Sequence, residues 1–178
     1  MIQIALPSLH VTWLCVTLLS VLYYIYCSEM WNQLDALTGL LNQNSYLNRT
    51  AEMRRSGGVL VVFDVDSFKQ INDRYGHSRG DAVIMQTADV LRACFPGAHI
   101  YRMSGDEFVV LCPGVTQARF ETMLAKARDR LASETDYGVS LGGAWHACAR
   151  EDLDELVRAA DESMYADKQE HYGVPEHG

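Results

Sequence analysis

Apolar and polar positions divide the chain into one unbroken apolar run and a long mixed remainder. No Asp, Glu, Lys or Arg occurs from Met1 through Ser28, and Leu9 to Cys27 is interrupted only by His10, Thr12, Thr17 and Ser20. A helix needs about 20 residues to cross the apolar core of a bilayer, so the run is long enough. Trp13 lies near one end and Tyr23, Tyr24, Tyr26 and Trp31 near the other, as interfacial aromatics do. A cleaved signal peptide would want basic residues at its start and small residues at its cleavage site. Here the start lacks Lys and Arg, and the end reads Tyr-Tyr-Ile-Tyr-Cys-Ser. The pattern predicts a transmembrane anchor at 1–28 and a short juxtamembrane linker at 29–34. Every Lys and Arg follows the span, which predicts a cytoplasmic C-terminal part.

The remainder reads as alternating helices and strands. Asn42 to Arg55 predicts a short helix stopped by Gly57-Gly58. Val59 to Phe63 is continuously apolar, as a strand buried on both faces is. Ser67 to Arg74 predicts a short helix ended by Gly76. A second helix is expected to begin near Asp81, placed to cap it, with Ile84, Thr87, Ala88 and Leu91 at helical spacing. Ala98 to Met103 and Phe108 to Cys112 predict strands around a tight Gly-Asp hairpin turn. Phe120, Met123, Leu124, Ala127 and Leu131 make one helical apolar face. Tyr137 to His146 reads as a strand interrupted by Gly142-Gly143, and Leu153, Leu156, Val157, Ala160 and Met164 stripe a last helix. One α+β domain over 35–172 with a frayed tail at 173–178 is the expected organisation.

Composition narrows the partners. The formal net charge of −8 argues against nucleic acid, whose phosphates select for excess Lys and Arg. It leaves room for a single nucleotide whose charge is met by metal ions. Cys15, Cys27, Cys94, Cys112 and Cys148 are odd in number and form no CxxC pair, so reduced thiols are expected and a zinc site is not.

Two acidic clusters carry the candidate chemistry, Phe63-Asp64-Val65-Asp66-Ser67-Phe68-Lys69 and Arg102-Met103-Ser104-Gly105-Asp106-Glu107-Phe108. Asp64 ends an apolar strand, so its charge needs a partner, and a hard cation such as Mg²⁺ suits carboxylates while keeping room for phosphate oxygens. Asp106 and Glu107 sit at the hairpin tip, with Gly105 permitting close backbone approach. If that tip abuts the end of the Asp64 strand, the carboxylates converge. Two metals about 3.5–4 Å apart could then activate a hydroxyl and stabilise a leaving pyrophosphate. Lys69 could meet a terminal phosphate. Asn72 and Asp81 flank a glycine-bearing turn and together could match the edge of guanine, whereas adenine would leave the Asp unpaired. His77 reads as a hydrogen-bonding residue of that loop. Each residue alone has a plainer reading: a turn for Ser-Gly-Asp-Glu, caps for Asn72 and Asp81, an exposed helix side chain for Lys69.

Taken together and in order, these pieces resemble the GGDEF family of diguanylate cyclases. The resemblance runs from Asp35-Ala-Leu-Thr-Gly-Leu-Leu-Asn42 through Asp64–Asp81 and Arg102–Phe108 to Ala160-Asp-Glu-Ser-Met-Tyr-Ala-Asp-Lys168. It implies a palm-like fold, a mostly antiparallel sheet flanked by helices. It also implies conversion of two GTP into cyclic di-GMP and two pyrophosphates by a homodimer, with two Mg²⁺ per site and Mn²⁺ as a substitute. By position, Asp64, the Val65 carbonyl and Asp106 would bind metal, and Asp106 or Glu107 would help deprotonate the 3′-hydroxyl. Asn72 and Asp81 would read guanine, Lys69 and Lys168 would meet phosphates, and His77 would lie on the substrate side. Combined with the predicted span, the expected location is the bacterial inner membrane, single-pass, where regulation could come from expression, an unidentified membrane partner, or dimerisation alone. Three departures stand out: Ser104 replaces the first Gly of the signature, Tyr172 stands where a phosphate-binding Arg would be, and Phe95-Pro-Gly-Ala98 replaces an Arg-x-x-Asp product site. The first two leave a second reading open, a degenerate module that binds GTP or a protein partner without turnover. The third implies no product inhibition through that motif.

Overall fold

The apolar N-terminal run forms one helix, α1 (Ala5–Trp31). The computed structural model describes residues 5–31, 33–47, 58–146 and 153–172. Within α1, His10–Ser28 has a mean hydropathy of 1.6 and none of it is buried, so by length and composition it can cross a membrane. The hydroxyls of Thr17 and Ser20 donate to the carbonyls of Trp13 and Val16, each at 2.8 Å, so these two polar groups are satisfied within the helix. This helix falls in a unit of its own, Met1–Leu34; the rest of the fold is the second unit, Asp35–Gly178.

The second unit is built on a five-stranded sheet of order β1-β3-β4-β2-β5. Its strands are β1 (Leu41–Asn42), β2 (Gly58–Val65), β3 (His99–Ser104), β4 (Glu107–Pro113) and β5 (Val139–His146). β1 pairs with β3 in parallel, and every other pairing is antiparallel. The helices are α2 (residues 43–47 described), α3 (Phe68–Tyr75), α4 (His77–Cys94), α5 (Gln117–Glu134) and α6 (Leu153–Tyr172).

The continuous apolar run of β2 is explained by burial on both faces. Side chains alternate along a strand. Val61, Phe63 and Val65 join one core with Val83, Ile84, Ala88 and Leu91 of α4 and Phe120, Ala127 and Leu131 of α5. Leu60 and Val62 join a second core with Val109, Leu111 and Ala160, against which Leu156, Val157 and Met164 of α6 pack. The α5 stripe read from the sequence packs in the core, as do Leu156, Val157, Ala160 and Met164 of the α6 stripe, while the Leu153 side chain lies outside the described residues.

Three expectations need correction. α4 starts at His77, not near Asp81, because Gly76, at φ 84°, ends α3 and opens α4 at once. Asp81 therefore lies inside the helix and caps nothing. β5 runs unbroken through Gly142-Gly143, whose missing side chains make room for neighbours on both faces. Asn42, expected to open a helix, instead joins Leu41 of the opening motif in a short edge strand. Residues 48–55 of the expected first helix, Cys148 and the tail 173–178 lie outside the described residues. Cys94 and Cys112 are buried free thiols, and burial pushes the Cys112 thiol up to about 11.

Candidate active site

β2 lies between β4 and β5, so its end is flanked by backbone on both sides. Asp64 stands opposite Glu107 of β4 and Ser140 of β5. The β3–β4 hairpin turns at Gly105-Asp106, and the Val65 N–H donates to the Asp106 carbonyl at 3.3 Å. The tip thus abuts the end of β2, as convergence requires. Burial raises the Asp106 pKa. Its own backbone amide opposes that shift, the Asp64 and Glu107 carboxylates add to it, and Lys168 counteracts it.

The turn has its own construction. Gly105 has φ 28°, a backbone geometry that favours glycine, and among the described residues nothing lies within 4 Å of where its Cβ would be. Its use is conformational freedom, not the close approach expected from the sequence. Ser104 has no left-handed backbone, so the serine costs no strain, and its hydroxyl donates to Glu107 Oε2 at 2.7 Å. Arg102 spans the turn: Nε and Nη2 donate to the Gly105 carbonyl at 3.0 and 2.7 Å, and Nη1 donates to both Asp35 oxygens at 3.1 and 3.2 Å. Asp35 in turn accepts from the Thr38 N–H and hydroxyl at 2.8 and 2.7 Å. The opening motif is therefore a brace for the signature turn.

That brace has a measurable pH signature. Burial pulls the Asp35 pKa up, but the Thr38 bonds and Arg102 outweigh it and hold the carboxyl below its ordinary 3.8. A depressed carboxyl contributes stability above 3.8 that is lost as pH falls through its folded value. Asp35→Asn is expected to cost about 1.5–3 kcal/mol at pH 7. The gap to the parent in urea unfolding should narrow below about pH 4. A constant gap at pH 7 and pH 3 would refute the ionic role.

Lys168 reaches the same strand end from α6. Its Nζ donates to Asp64 Oδ1 at 2.6 Å and lies 3.7 Å from Asp66 Oδ1. Asp66 is buried, accepts from Ser140 Oγ at 2.6 Å, and its N–H donates to the Gly138 carbonyl. Burial lowers the Lys168 pKa, but the Asp64 hydrogen bond and the Asp64, Asp66 and Asp106 charges win, so it is raised overall. Asp167 fixes the helix: its Oδ2 accepts from the Leu141 N–H at 3.0 Å and its Oδ1 pairs with Arg128.

The pair expected to read guanine, Asn72 and Asp81, sits on α3 and α4. Asn72 Oδ1 is buried with no hydrogen-bond partner, and a Cβ on Gly80 would overlap it, so Gly80 lies directly against Asn72. Asp81 follows Gly80 and is exposed. A buried amide oxygen without a partner costs about 1–3 kcal/mol, which a donor on a ligand would recover. Ser67, before α3, has φ 55°, and no side chain caps the helix, which leaves its first-turn amides without a side-chain acceptor. Lys69 and His77 are exposed.

Asp66, Ser140, Asp161 and Arg102 were not assigned roles from the sequence. Asp66 had a signal, since strand alternation puts residue 66 on the face of residue 64. Asp161 joins Asp64 and Glu107 around a cavity of about 280 Å³ that Tyr46, Met103 and Met164 also line. Burial, then Glu107, raises the Asp161 pKa.

Among the described residues no three His, Cys, Asp or Glu side chains are grouped to hold a metal by themselves. Asp64 and Asp106 nonetheless fit a hard cation that takes one or two carboxylates and completes its shell from phosphates. Their mutual repulsion, answered here by the Lys168 ammonium, shows that the site favours positive charge.

Comparison with known proteins gives concordant matches. The sequence model described as "Diguanylate cyclase, GGDEF domain" matches residues 32–173. Diguanylate cyclase DgcS of Shewanella oneidensis is 34% identical over 150 residues, covering 79% of this chain and 51% of that protein. The chain thus spans about half the length of that curated relative, and 33% of the probable diguanylate cyclase DgcI of Escherichia coli. The coiled coil and GGDEF domain of DgcB from Caulobacter crescentus, solved with c-di-GMP, superposes with a TM-score of 0.78 at 24% identity, covering 88% of this chain and 91% of that one. Diguanylate cyclase SiaD of Pseudomonas aeruginosa, solved with its activator SiaC, gives 0.69 at 27% identity, covering 87% and 67%.

Proposed function

Because this chain belongs to the GGDEF diguanylate cyclase family, we propose that it is a Mg²⁺-dependent cyclase that condenses two GTP into cyclic di-GMP. It acts as a homodimer tethered to the inner membrane through residues 9–27, with its catalytic domain in the cytoplasm. The observation that carries this reading is the meeting of Asp64, Asp106 and Glu107 at the end of β2, beside Lys168.

In each of two condensations a ribose 3′-oxygen bonds to the α-phosphorus of the other nucleotide. The bond from that phosphorus to the bridging oxygen breaks, and pyrophosphate leaves. Asp106 or Glu107 takes the hydroxyl proton. Burial and neighbouring carboxylates raise the proton affinity of Asp106 in the free chain, and a bound cation would draw it back down. Asp64, Asp106 and the Val65 carbonyl would hold Mg²⁺, which when bound would polarise the phosphate and offset its developing charge. Lys69, Lys168 and the α3 amides bear on the phosphates, and His77 lies beside them. Asn72 and Asp81 select guanine, the orphaned Asn72 Oδ1 accepting from the base. One domain holds one nucleotide, so a second copy must face it, and a shared membrane raises the effective concentration of that copy.

Tyr172, the last residue of α6, favours a second reading, a module that binds GTP or a protein partner without turnover. One experiment separates the two. The full chain in detergent is given Mg²⁺ with GTP or ATP, and products are identified by mass spectrometry. Cyclic di-GMP from GTP, no product from ATP, and a loss of about 10²–10⁴-fold in Asp106→Asn are expected. No product from a folded dimer would select the second reading.

A further inference from the structure

The Lys168 ammonium and a metal ion have claims on the same oxygen. Lys168 Nζ donates to Asp64 Oδ1 at 2.6 Å. A divalent ion ligated by Asp64 would put two cations within a few ångströms of each other, at a site where Coulomb terms are only partly screened. The root of Lys168 cannot move far, because Asp167 is bonded to the Leu141 N–H and to Arg128. Its head can move: the side chain is 41% exposed and its stem is flexible.

Asp66 decides where the ammonium goes. It lies 3.7 Å from Lys168 Nζ, and Ser140 and Gly138 pin it to β5. It therefore keeps a claim on the ammonium without turning toward the metal position. A triphosphate entering beside Asp64 offers the ammonium further oxygens and leaves Asp64 free to ligate.

We propose that Lys168, shared between Asp64 and Asp66, is a resident cation that competes with divalent metal for Asp64 and is drawn off it by a nucleotide triphosphate. Metal alone then binds weakly, and metal and nucleotide bind cooperatively. Linkage makes the effect reciprocal, so each tightens the other by the same factor. The inference rests on the cyclase reading of this site and adds an order to its loading.

The test is Mn²⁺ binding to the full chain in detergent, read from the electron paramagnetic resonance of free Mn²⁺. It is run with and without guanosine 5′-(α,β-methylene)triphosphate, whose α–β link cannot be cleaved. Without nucleotide, Lys168→Gln is expected to bind Mn²⁺ about tenfold tighter than the parent. The enhancement by the analogue should shrink by a similar factor, whereas Lys168→Arg keeps the parent pattern. Lys168→Met is measured beside Lys168→Gln, so that poor folding of one neutral variant does not decide the result. Neutral variants that bind Mn²⁺ no tighter than the parent overturn the inference. If Asp64→Asn leaves binding with the analogue unchanged, the metal assignment itself fails, a different result from the first.

Discussion

Asp64→Asn is expected to reduce cyclic di-GMP formation by at least about 10³-fold while leaving the fold intact. Asp64 is the carboxylate on which the site converges, with Glu107 opposite, Asp106 in electrostatic contact and Lys168 at 2.6 Å. An amide keeps the shape but supplies neither the charge nor the ligand strength that a hard cation needs. Stability should move little, for two opposing reasons. The ion pair with Lys168 is partly solvated and contributes about 1 kcal/mol or less. Against that loss, the variant removes one of the charges that raise the Asp106 pKa. A carboxyl whose pKa is raised holds its proton more tightly in the folded state. It opposes folding above its folded pKa and has no effect below the unfolded value of 3.8. Relief of that cost is present at neutral pH and disappears in acid. Thermal melting at pH 7 within a few degrees of the parent, with turnover lost, is the expected pair of results. Retained turnover would remove Asp64 from the metal site, and a collapsed melt would make it a structural residue.

The parts of the site legible in the sequence are those carried by local pattern. Val59 to Phe63 announces β2 because burial on both faces removes polar positions, and that strand fixes where Asp64 ends up. The Gly-Asp turn announces the hairpin that brings Asp106 to it. What local pattern does not carry is pairing over distance. Ser140 meets Asp66 across 74 residues, and Lys168 meets Asp64 across 104. Such contacts depend on strand order and on how α6 lies, and no periodicity records either. Asp81 misled for a related reason: it has the chemistry of a cap, but the backbone of Gly76 had already opened the helix. Two residues are also too few for alternation to reveal β1. Ser104, a departure from the signature, costs the turn no strain, since position 104 has no left-handed conformation that would demand glycine.

Gly142→Ala is expected to cost about 3 kcal/mol and to lower the melting temperature by roughly 10 °C. A Cβ on Gly142 would overlap the backbone nitrogen of Met164 and the backbone carbonyl of Ala160. A side chain in that position could change rotamer, but a helix backbone can only retreat as a body. Moving α6 outward strips Ala160 and Met164 from the core of Leu60, Val62, Val109 and Leu111. It also pulls Asp167 from the Leu141 N–H and Lys168 from Asp64, so stability and turnover should fall together. The neighbouring position supplies the comparison. A Cβ on Gly143 would meet the Phe120 ring, with Cζ at 2.6 Å and Cε2 at 3.0 Å, and Phe120 belongs to the opposite core. A ring can shift where a helix cannot, so Gly143→Ala should cost about 1 kcal/mol and leave turnover near the parent value. Equal melting temperatures for the two variants would mean that α6 is not seated on the backbone of β5. A larger loss of both stability and turnover at position 142 would tie the seat of the helix to the placement of its lysine.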